Sequence, residues 1–321
     1  MMKGIHHTGL SVLDLEKAIA YWTGCFGFKV AVRFEVEDIP ETRALMQAEN
    51  PSAKVAFLTG PTGHLELFQF DANAGVPERS HTVHEAGIRH ACLQAIEVDP
   101  LFDRCAENGT RWHARPSGLG TGALYAYVRD PEGNIIELEG VPWGPADQTR
   151  PWYAHTAIVT PDIDRLTAFY EFLTGTKVHN RGSFGPHRSF DRVAGLEGIV
   201  FKGAWIRLAN ATLEFWEYNV PRTTPDPRKD ATGPGWNHIC FEVGNADEEY
   251  ARLAAAGILL HAPPVSNAFG RLFYGRDPDD NIFECLEVSA RHRALSVERL
   301  SGRQFITRLD DAIAAHYKPA R

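Results

Sequence analysis

The sequence lacks several features that mark secreted, membrane-spanning or nucleic-acid-binding proteins. Its cysteines number 5, an odd count without paired spacing, which argues against a disulfide framework, so a reducing cytoplasm is expected. No apolar run approaches the roughly 18 residues of a membrane span, and a basic-then-apolar signal pattern is absent from the start of the sequence. With 33 Lys and Arg against 41 Asp and Glu, the net charge of −8 disfavours nucleic acid or an anionic membrane as partner.

What the sequence does contain is typical of a globular protein. Hydrophobic residues make up 44% and charged residues 23% of the 321 residues. This length suits two domains of about 150 residues each better than one.

A short apolar run that carries a histidine near its start occurs four times, at residues 5–12, 88–93, 154–159 and 237–241. His155 follows His7 by 148 residues, and His238 follows His90 by the same interval. A fixed interval of this kind indicates an internal duplication.

The elements around these runs repeat as well. Asp14 can cap a helix with apolar residues at helical spacing that ends at Gly27, and Asp162 and Gly175 bound its counterpart. We therefore predict an α+β fold of four βαβββ units, paired into two cupped mixed-sheet modules with a short C-terminal helical tail. The predicted boundaries are a first module at 1–140, a Pro- and Trp-rich linker at 141–152, a second module at 153–289 and the tail at 290–321. Apolar residues that suggest tail helices are Val297, Leu300, Phe305, Leu309 and Ile313.

Two polar loops, residues 71–87 and 219–236, precede the second and fourth histidine-bearing strands. They are long for connections between elements of a compact domain. We expect them to overhang the two cups and to control access.

Acidic residues recur with the histidines. Glu214 follows Glu66 by 148 residues, and Glu137 and Glu284 each lie three residues beyond an Asp-Pro turn that ends in Asn. A single histidine in an apolar strand is more often a core residue than a ligand, but a carboxylate that faces inward is costly unless it is paired or coordinated. Imidazole and carboxylate together suit a borderline divalent ion, namely Fe, Mn, Co, Ni or Zn. The expected ligand sets are one per module: His7, Glu66, His90 and Glu137, then His155, Glu214, His238 and Glu284.

This pattern resembles the vicinal oxygen chelate superfamily, which includes glyoxalase I, methylmalonyl-CoA epimerase, fosfomycin-resistance proteins and extradiol dioxygenases. The resemblance covers residues 3–140 and 153–288. It implies that each pair of βαβββ units forms a cupped sheet around one divalent ion, hence two ions per chain. The implied ligands are the first-strand histidines and last-strand acids named above, with His7 preferred to His6 because His7 aligns with His155.

Three functions follow from the resemblance, all with a small-molecule ligand and each compatible with a homo-oligomer. The first is an isomerase or lyase that moves a substrate α-proton; four ligand candidates per module favour it, and Glu137 and Glu284 are then the implied bases. The second is an Fe(II) extradiol dioxygenase acting on a catechol-like substrate, for which Tyr274, ten residues before Glu284, matches the acid–base tyrosine. Tyr127 has the same place before Glu137, and this recurrence in both modules is also compatible with an ordinary strand residue. Residues 273–278 match that signature only in part, because Asp280 replaces its usual Gly or Pro and residues 265–272 contain no histidine. The third is a resistance protein that sequesters a ligand without catalysis, which would not need eight metal ligands.

Overall fold

The computed structural model describes residues 2–78, 81–144, 148–225 and 230–305, which form four related units in chain order. The first unit contains β1 (Met2–Ser11), α1 (Leu15–Phe26), β2 (Lys29–Val36), α2 (Pro40–Met46), β3 (Ala53–Thr59) and β4 (His64–Phe70). The second contains β5 (Gly87–Ala95), α3 (Val98–Glu107), β6 (Arg111–Trp112), β7 (Ser117–Gly118), β8 (Leu124–Arg129) and β9 (Ile135–Gly140).

The second half of the chain repeats this order. The third unit contains β10 (Trp152–Val159), α4 (Ile163–Thr174), β11 (Asn180–Phe184), α5 (Arg188–Ala194), β12 (Val200–Arg207) and β13 (Thr212–Val220). The fourth contains β14 (Gly235–Val243), α6 (Ala246–Ala255), β15 (Val265–Ser266), β16 (Gly270–Arg276) and β17 (Ile282–Val288). The fold class predicted from the repeat is confirmed.

The helix boundaries follow from local chemistry. The Asp14 side chain accepts a hydrogen bond from the backbone N–H of Lys17 at the start of α1, and Asp162 does the same for α4. Each helix ends at a glycine in the left-handed region, Gly27 with φ 72° and Gly175 with φ 68°. The sequence interpretation missed the short helices α2 and α5, although Pro40 at the first position of α2 is a recognised start signal.

The pairing of units differs from the expectation that each half of the chain forms its own cup. Within the described residues, one sheet has the strand order β15-β16-β17-β14-β1-β4-β3-β2, so it joins the first unit to the fourth. The other has the order β11-β12-β13-β10-β5-β9-β8-β6, with β7 beside β8, and joins the second unit to the third.

The connections account for this arrangement. The linker joins β9 to β10, which lie on either side of β5 in the same sheet. It therefore crosses only one strand and can be short. The two long loops instead join strands of different sheets, β4 to β5 and β13 to β14. Crossing between sheets therefore explains their length, and their role in access stays a prediction.

The main hydrophobic core lies between the two sheets. Side chains from one face of each sheet pack there with α1, α3, α4 and α6, which contribute Trp22, Phe102, Tyr170 and Leu253. The opposite, cupped face of each sheet carries a smaller apolar cluster. Strand alternation thus separates a shared structural core from two cups.

The predicted tail begins as 3₁₀ turns at Ala290–Leu295 and Val297–Arg299. Buried Glu242 anchors this segment by accepting hydrogen bonds from Ser296 Oγ at 2.7 Å and Val297 N at 2.6 Å. The remaining tail candidates, Leu309 and Ile313, lie outside the described residues. Among the helices that are described, none is long and apolar enough to cross a membrane.

Candidate metal centres

All eight ligand candidates lie in two buried clusters, but the grouping by halves of the chain was wrong. The first centre contains His7, Glu66, His238 and Glu284, and the second contains His90, Glu137, His155 and Glu214. Each centre therefore takes one histidine and one glutamate from each of two units, one unit from each half of the chain. The cause is the sheet pairing, which joins units one and four, and units two and three.

The four central strands of each sheet position these side chains. In the first sheet β1 pairs in parallel with β4, placing Gly9 beside Glu66, and pairs antiparallel with β14, placing Gly9 opposite His238. In the second sheet Ala157 lies beside both Glu214 and His90 in the same way. Because side chains alternate along each strand, the four ligand candidates of a sheet share one face.

The first centre is compact. His7 Nε2 lies 3.0 Å from His238 Nε2, 3.1 Å from Glu66 Oε2 and 3.2 Å from Glu284 Oε2. His238 Nε2 lies 3.2 Å from the same Glu284 oxygen. These four potential ligand atoms lie within 4.8 Å of one another, so a single ion could contact all of them.

The second centre has the same composition and similar distances. His155 Nε2 lies 2.9 Å from Glu137 Oε2 and 3.2 Å from Glu214 Oε2. His90 Nε2 lies 3.2 Å and 3.4 Å from these two oxygens, and 3.3 Å from His155 Nε2. The duplication has therefore kept both the residue types and their arrangement.

The chemistry of each donor set fits a divalent cation. Two neutral imidazoles and two carboxylates carry a formal charge of −2, and burying two carboxylates together is costly unless a cation balances them. Glu284 Oε2 is buried, and within the described chain no donor is aligned to hydrogen bond to it, although two imidazole nitrogens lie nearby. Nitrogen and oxygen ligands that converge in this way suit a borderline first-row metal or zinc.

The ionisation of the first centre reflects this excess of negative charge. Burial lowers the pKa of His7, but the nearby carboxylates of Glu66 and Glu284 outweigh burial and raise it to about 9. Burial likewise opposes ionisation of Glu284, whereas His7 and His238 hold the pKa of this carboxyl well below its usual range. In the second centre burial again opposes both charges, but His155 lowers the pKa of Glu214, and Cys92 together with Glu214 raises the pKa of His155.

Sequence reasoning did not identify the residues that orient the histidines of the first centre. His6 Nδ1 lies 2.8 Å from His7 Nδ1, and the Asn237 side-chain oxygen lies 2.7 Å from His238 Nδ1. The Asn237 oxygen can only accept, so it places the ring hydrogen of His238 on Nδ1 and leaves Nε2 free as a ligand atom. For His7 the same holds in the tautomer in which its Nδ1 donates to His6. The preference for His7 over His6 agrees with this geometry, since His7 Nε2 faces the centre and His6 contacts the other ring nitrogen of His7.

A different set of neighbours surrounds the second centre. The indole N–H groups of Trp205 and Trp216 donate to the two oxygens of Glu214, at 2.8 Å and 2.7 Å respectively. Trp216 lies two residues after Glu214, so strand alternation already placed it on the same face. Trp205 could not be assigned from spacing, because it reaches Glu214 from the neighbouring strand β12.

The two predicted acid–base tyrosines lie beside the centres. The Tyr127 ring centroid is 5.0 Å from that of His90, and the Tyr274 centroid is 5.4 Å from that of His238. Burial, reinforced by the nearby glutamates, raises the pKa of both phenols well above the ordinary value. Both are therefore neutral at physiological pH and could donate a hydrogen bond or a proton.

Apolar residues close over both cups. In the first cup, Leu45 and Met46 of α2 pack in one cluster with Tyr274. In the second, Ala194 of α5 packs in a cluster that includes Tyr127. A cavity of about 200 Å³ lies on this side of the molecule, and its lining includes Tyr127, Ala194, Trp112 and Arg129. The second centre thus has a space for a small molecule next to one of its tyrosines.

Comparison with known families agrees with this architecture. Two models, both described as Glyoxalase/Bleomycin resistance protein/Dioxygenase superfamily, match residues 4–138 and 154–274. The chain belongs to this superfamily. Because one model matches the first half of the chain and the other matches the second half, the sequence contains two domains of the superfamily in tandem.

Similar proteins within the superfamily differ in reaction. The chain is 22% identical over 295 residues to a lactoylglutathione lyase of Schizosaccharomyces pombe, covering 88% of this chain and 96% of the relative. It is 26% identical over 151 residues to a 2-epi-5-epi-valiolone epimerase of Actinomyces sp., covering 44% and 80%. The structure of a point mutant of glyoxalase I from Zea mays superposes with a TM-score of 0.65 at 19% identity, covering 92% of this chain and 97% of that one, which supports the fold.

Proposed function

We propose that this protein is a divalent-metal-dependent enzyme of the glyoxalase or epimerase type, an isomerase or lyase that moves an α-proton of a small substrate. The observation that carries the proposal is the pair of buried clusters, each with two histidines and two glutamates around a common point. Four protein ligands leave about two positions of an octahedral ion for a substrate. The lactoylglutathione lyase and epimerase relatives support this class of reaction.

The ligands of the first centre would be His7, Glu66, His238 and Glu284, and those of the second His90, Glu137, His155 and Glu214. A divalent ion held there supplies Lewis acidity toward neighbouring oxygens of a substrate. The histidines keep Nε2 directed at the centre, and buried apolar side chains limit the access of water.

The last-strand glutamates are the proposed bases. Glu284 Oε2 has a lone pair that no aligned donor in the described chain occupies, so this atom can accept a proton. Glu137 has the equivalent place in the second centre, where its Oε2 lies 2.9 Å from His155 Nε2, whereas both oxygens of Glu214 accept indole hydrogen bonds. Tyr127 and Tyr274, which remain neutral, would donate a hydrogen bond to a developing negative charge.

A second candidate is an extradiol dioxygenase, favoured by the contact between Tyr274 and His238. A ligand set of two histidines and one carboxylate would suit that reaction, and each centre here offers a second carboxylate. Only the dioxygenase reaction consumes oxygen, so an assay of oxygen uptake separates the two functions.

The test uses metal-free protein reloaded in turn with Fe, Mn, Co, Ni or Zn. With lactoylglutathione in deuterated solvent, the assay measures exchange of the substrate α-proton. With catechol, the protein is first loaded with Fe(II) under anaerobic conditions, and oxygen uptake is measured after oxygen is admitted. We expect metal-dependent proton exchange without oxygen consumption. Oxygen consumption in step with ring cleavage would instead assign the protein to the dioxygenases, and failure to bind metal at all would overturn both functions.

A further inference from the structure

Glu214 differs from the other proposed ligands in the number of hydrogen bonds that it receives. Trp205 Nε1 donates to Oε1 and Trp216 Nε1 donates to Oε2, so each oxygen has its own indole partner. The same Oε2 also faces the two imidazoles of the second centre. The two indoles thereby fix the orientation of the Glu214 carboxylate.

The first centre provides an internal comparison. Phe57 lies opposite Glu66 as Trp205 lies opposite Glu214, and Phe68 follows Glu66 by two residues as Trp216 follows Glu214. Phenylalanine has no donor, so Glu66 receives no hydrogen bond from either position. The indole pair is therefore not a requirement of the fold, since the equivalent sheet forms with two phenylalanines in these places.

We propose that Trp205 and Trp216 are positioning residues that hold Glu214 as a permanent ligand of the second centre. This inference rests on the metal-dependent function proposed above. Hydrogen bonds from two separate donors stabilise an ionised carboxylate and restrain its orientation. If Glu214 left the centre, two half-buried indole N–H groups would lose their partners.

The first experiment examines the hydrogen bonds in metal-free protein by NMR of the indole N–H groups. Trp205→Phe and Trp216→Phe each remove one resonance and so assign it. Glu214→Gln is expected to shift those two resonances upfield, because a neutral amide is a weaker acceptor, whereas Glu66→Gln should leave both in place. Resonances that do not respond to Glu214→Gln would overturn the inference, whatever the protein does with metal.

The second experiment measures the dissociation constant of Co²⁺ at each centre by competition with a chelating dye. Each single Trp→Phe variant is expected to raise the dissociation constant of the second centre by about 10- to 100-fold, the range typical of residues that support metal ligands. The dissociation constant of the first centre should stay the same. Trp152→Phe is the matched control, since this buried indole donates to the neutral Gln94 side chain at 3.0 Å rather than to a ligand. We expect it to bind Co²⁺ like the parent protein.

A double-mutant cycle separates positioning from general damage. In a Glu214→Gln background, Trp205→Phe and Trp216→Phe should have little further effect on Co²⁺ binding, because the residue through which they act has already changed. Additive losses, or an equal loss in Trp152→Phe, would overturn the positioning role. A parent protein that binds no Co²⁺ would refute the proposed function itself, whereas parent-like binding in both Trp→Phe variants would refute this inference alone.

Discussion

Thr8 Oγ1 and Thr156 Oγ1 are hydrogen bonded at 2.8 Å, although the two residues lie 148 positions apart in the chain. Asn210 Nδ2 donates in the same way to the carbonyl oxygen of Thr62, again across 148 positions. Equivalent residues of the two halves therefore meet at the contact between the sheets. The duplication is thus visible as approximate twofold symmetry, with one candidate metal centre on either side.

The pairing of ligands across the chain predicts how double variants lose metal. His7→Ala with His238→Ala should destroy the first centre and leave one ion bound with parent affinity, because both changes fall in that centre. His7→Ala with His90→Ala should weaken both centres. Elemental analysis and Co²⁺ titration would measure this, with two ions expected in the parent protein after reconstitution. Retention of one tight ion in the His7/His90 variant would contradict the grouping seen in the structure.

The two glutamates of the first centre should differ in their contribution to proton transfer. Glu284→Gln should abolish α-proton exchange, by at least about 10²-fold, because an amide cannot act as a base. Glu66→Gln should have a smaller effect, since its amide oxygen can still coordinate. Both variants are measured with the second centre disabled by His90→Ala and His155→Ala, and metal content is recorded beside exchange. Activity that survives Glu284→Gln while metal is still bound would argue against Glu284 as the base.

The contact between His6 and His7 predicts a selective effect on metal binding. His6→Ala reproduces the residue found at the equivalent position 154 and removes the hydrogen-bond partner 2.8 Å from His7 Nδ1. We expect the first centre to bind Co²⁺ about 10- to 100-fold more weakly, because the ring of His7 loses its orienting partner. The second centre serves as the control within the same molecule, and an equal loss at both centres would point to general destabilisation.

Asp277 predicts a pH dependence of stability that is independent of the metal. Its side chain accepts hydrogen bonds from Asn281 Nδ2 at 2.8 Å and Tyr170 Oη at 3.0 Å, yet burial raises its pKa from 3.8 to about 6. A raised pKa means that the folded state favours the protonated form, so this contribution is fully present below pH 3.8 and is lost as pH rises through 6.

Relative to Asp277→Asn, the parent protein should therefore gain about 1 kcal/mol of unfolding free energy when the pH falls from about 7 to about 5. Urea unfolding of both metal-free proteins at the two pH values would measure the difference. Asp14→Asn is a suitable control, because this capping carboxyl is partly exposed and its pKa is lowered instead. A parent protein that loses stability relative to Asp277→Asn over this range would show the opposite sign and contradict the prediction.

The sequence by itself determined the repeated unit, the residue types at eight ligand positions and the helix caps. These are local properties: a capping aspartate, an apolar period and an Asp-Pro turn act within a few residues, and the duplication displayed each of them twice. The identity of His7 rather than His6 as the inward-facing residue also followed from alignment of the two halves. In the same way, alternation along β13 placed Trp216 on the face of Glu214.

Only the tertiary structure decided which units share a sheet. Equivalent units present nearly the same strand edges, so either pairing satisfies the same local patterns, and the choice depends on how the linker and the two long loops run between strands. The indole of Trp205 and the imidazole of His6 likewise acquired their roles through contacts that sequence spacing does not encode. The residue types of the metal ligands could therefore be predicted from the sequence. Their grouping into two centres could not, because it depends on which units pack into the same sheet.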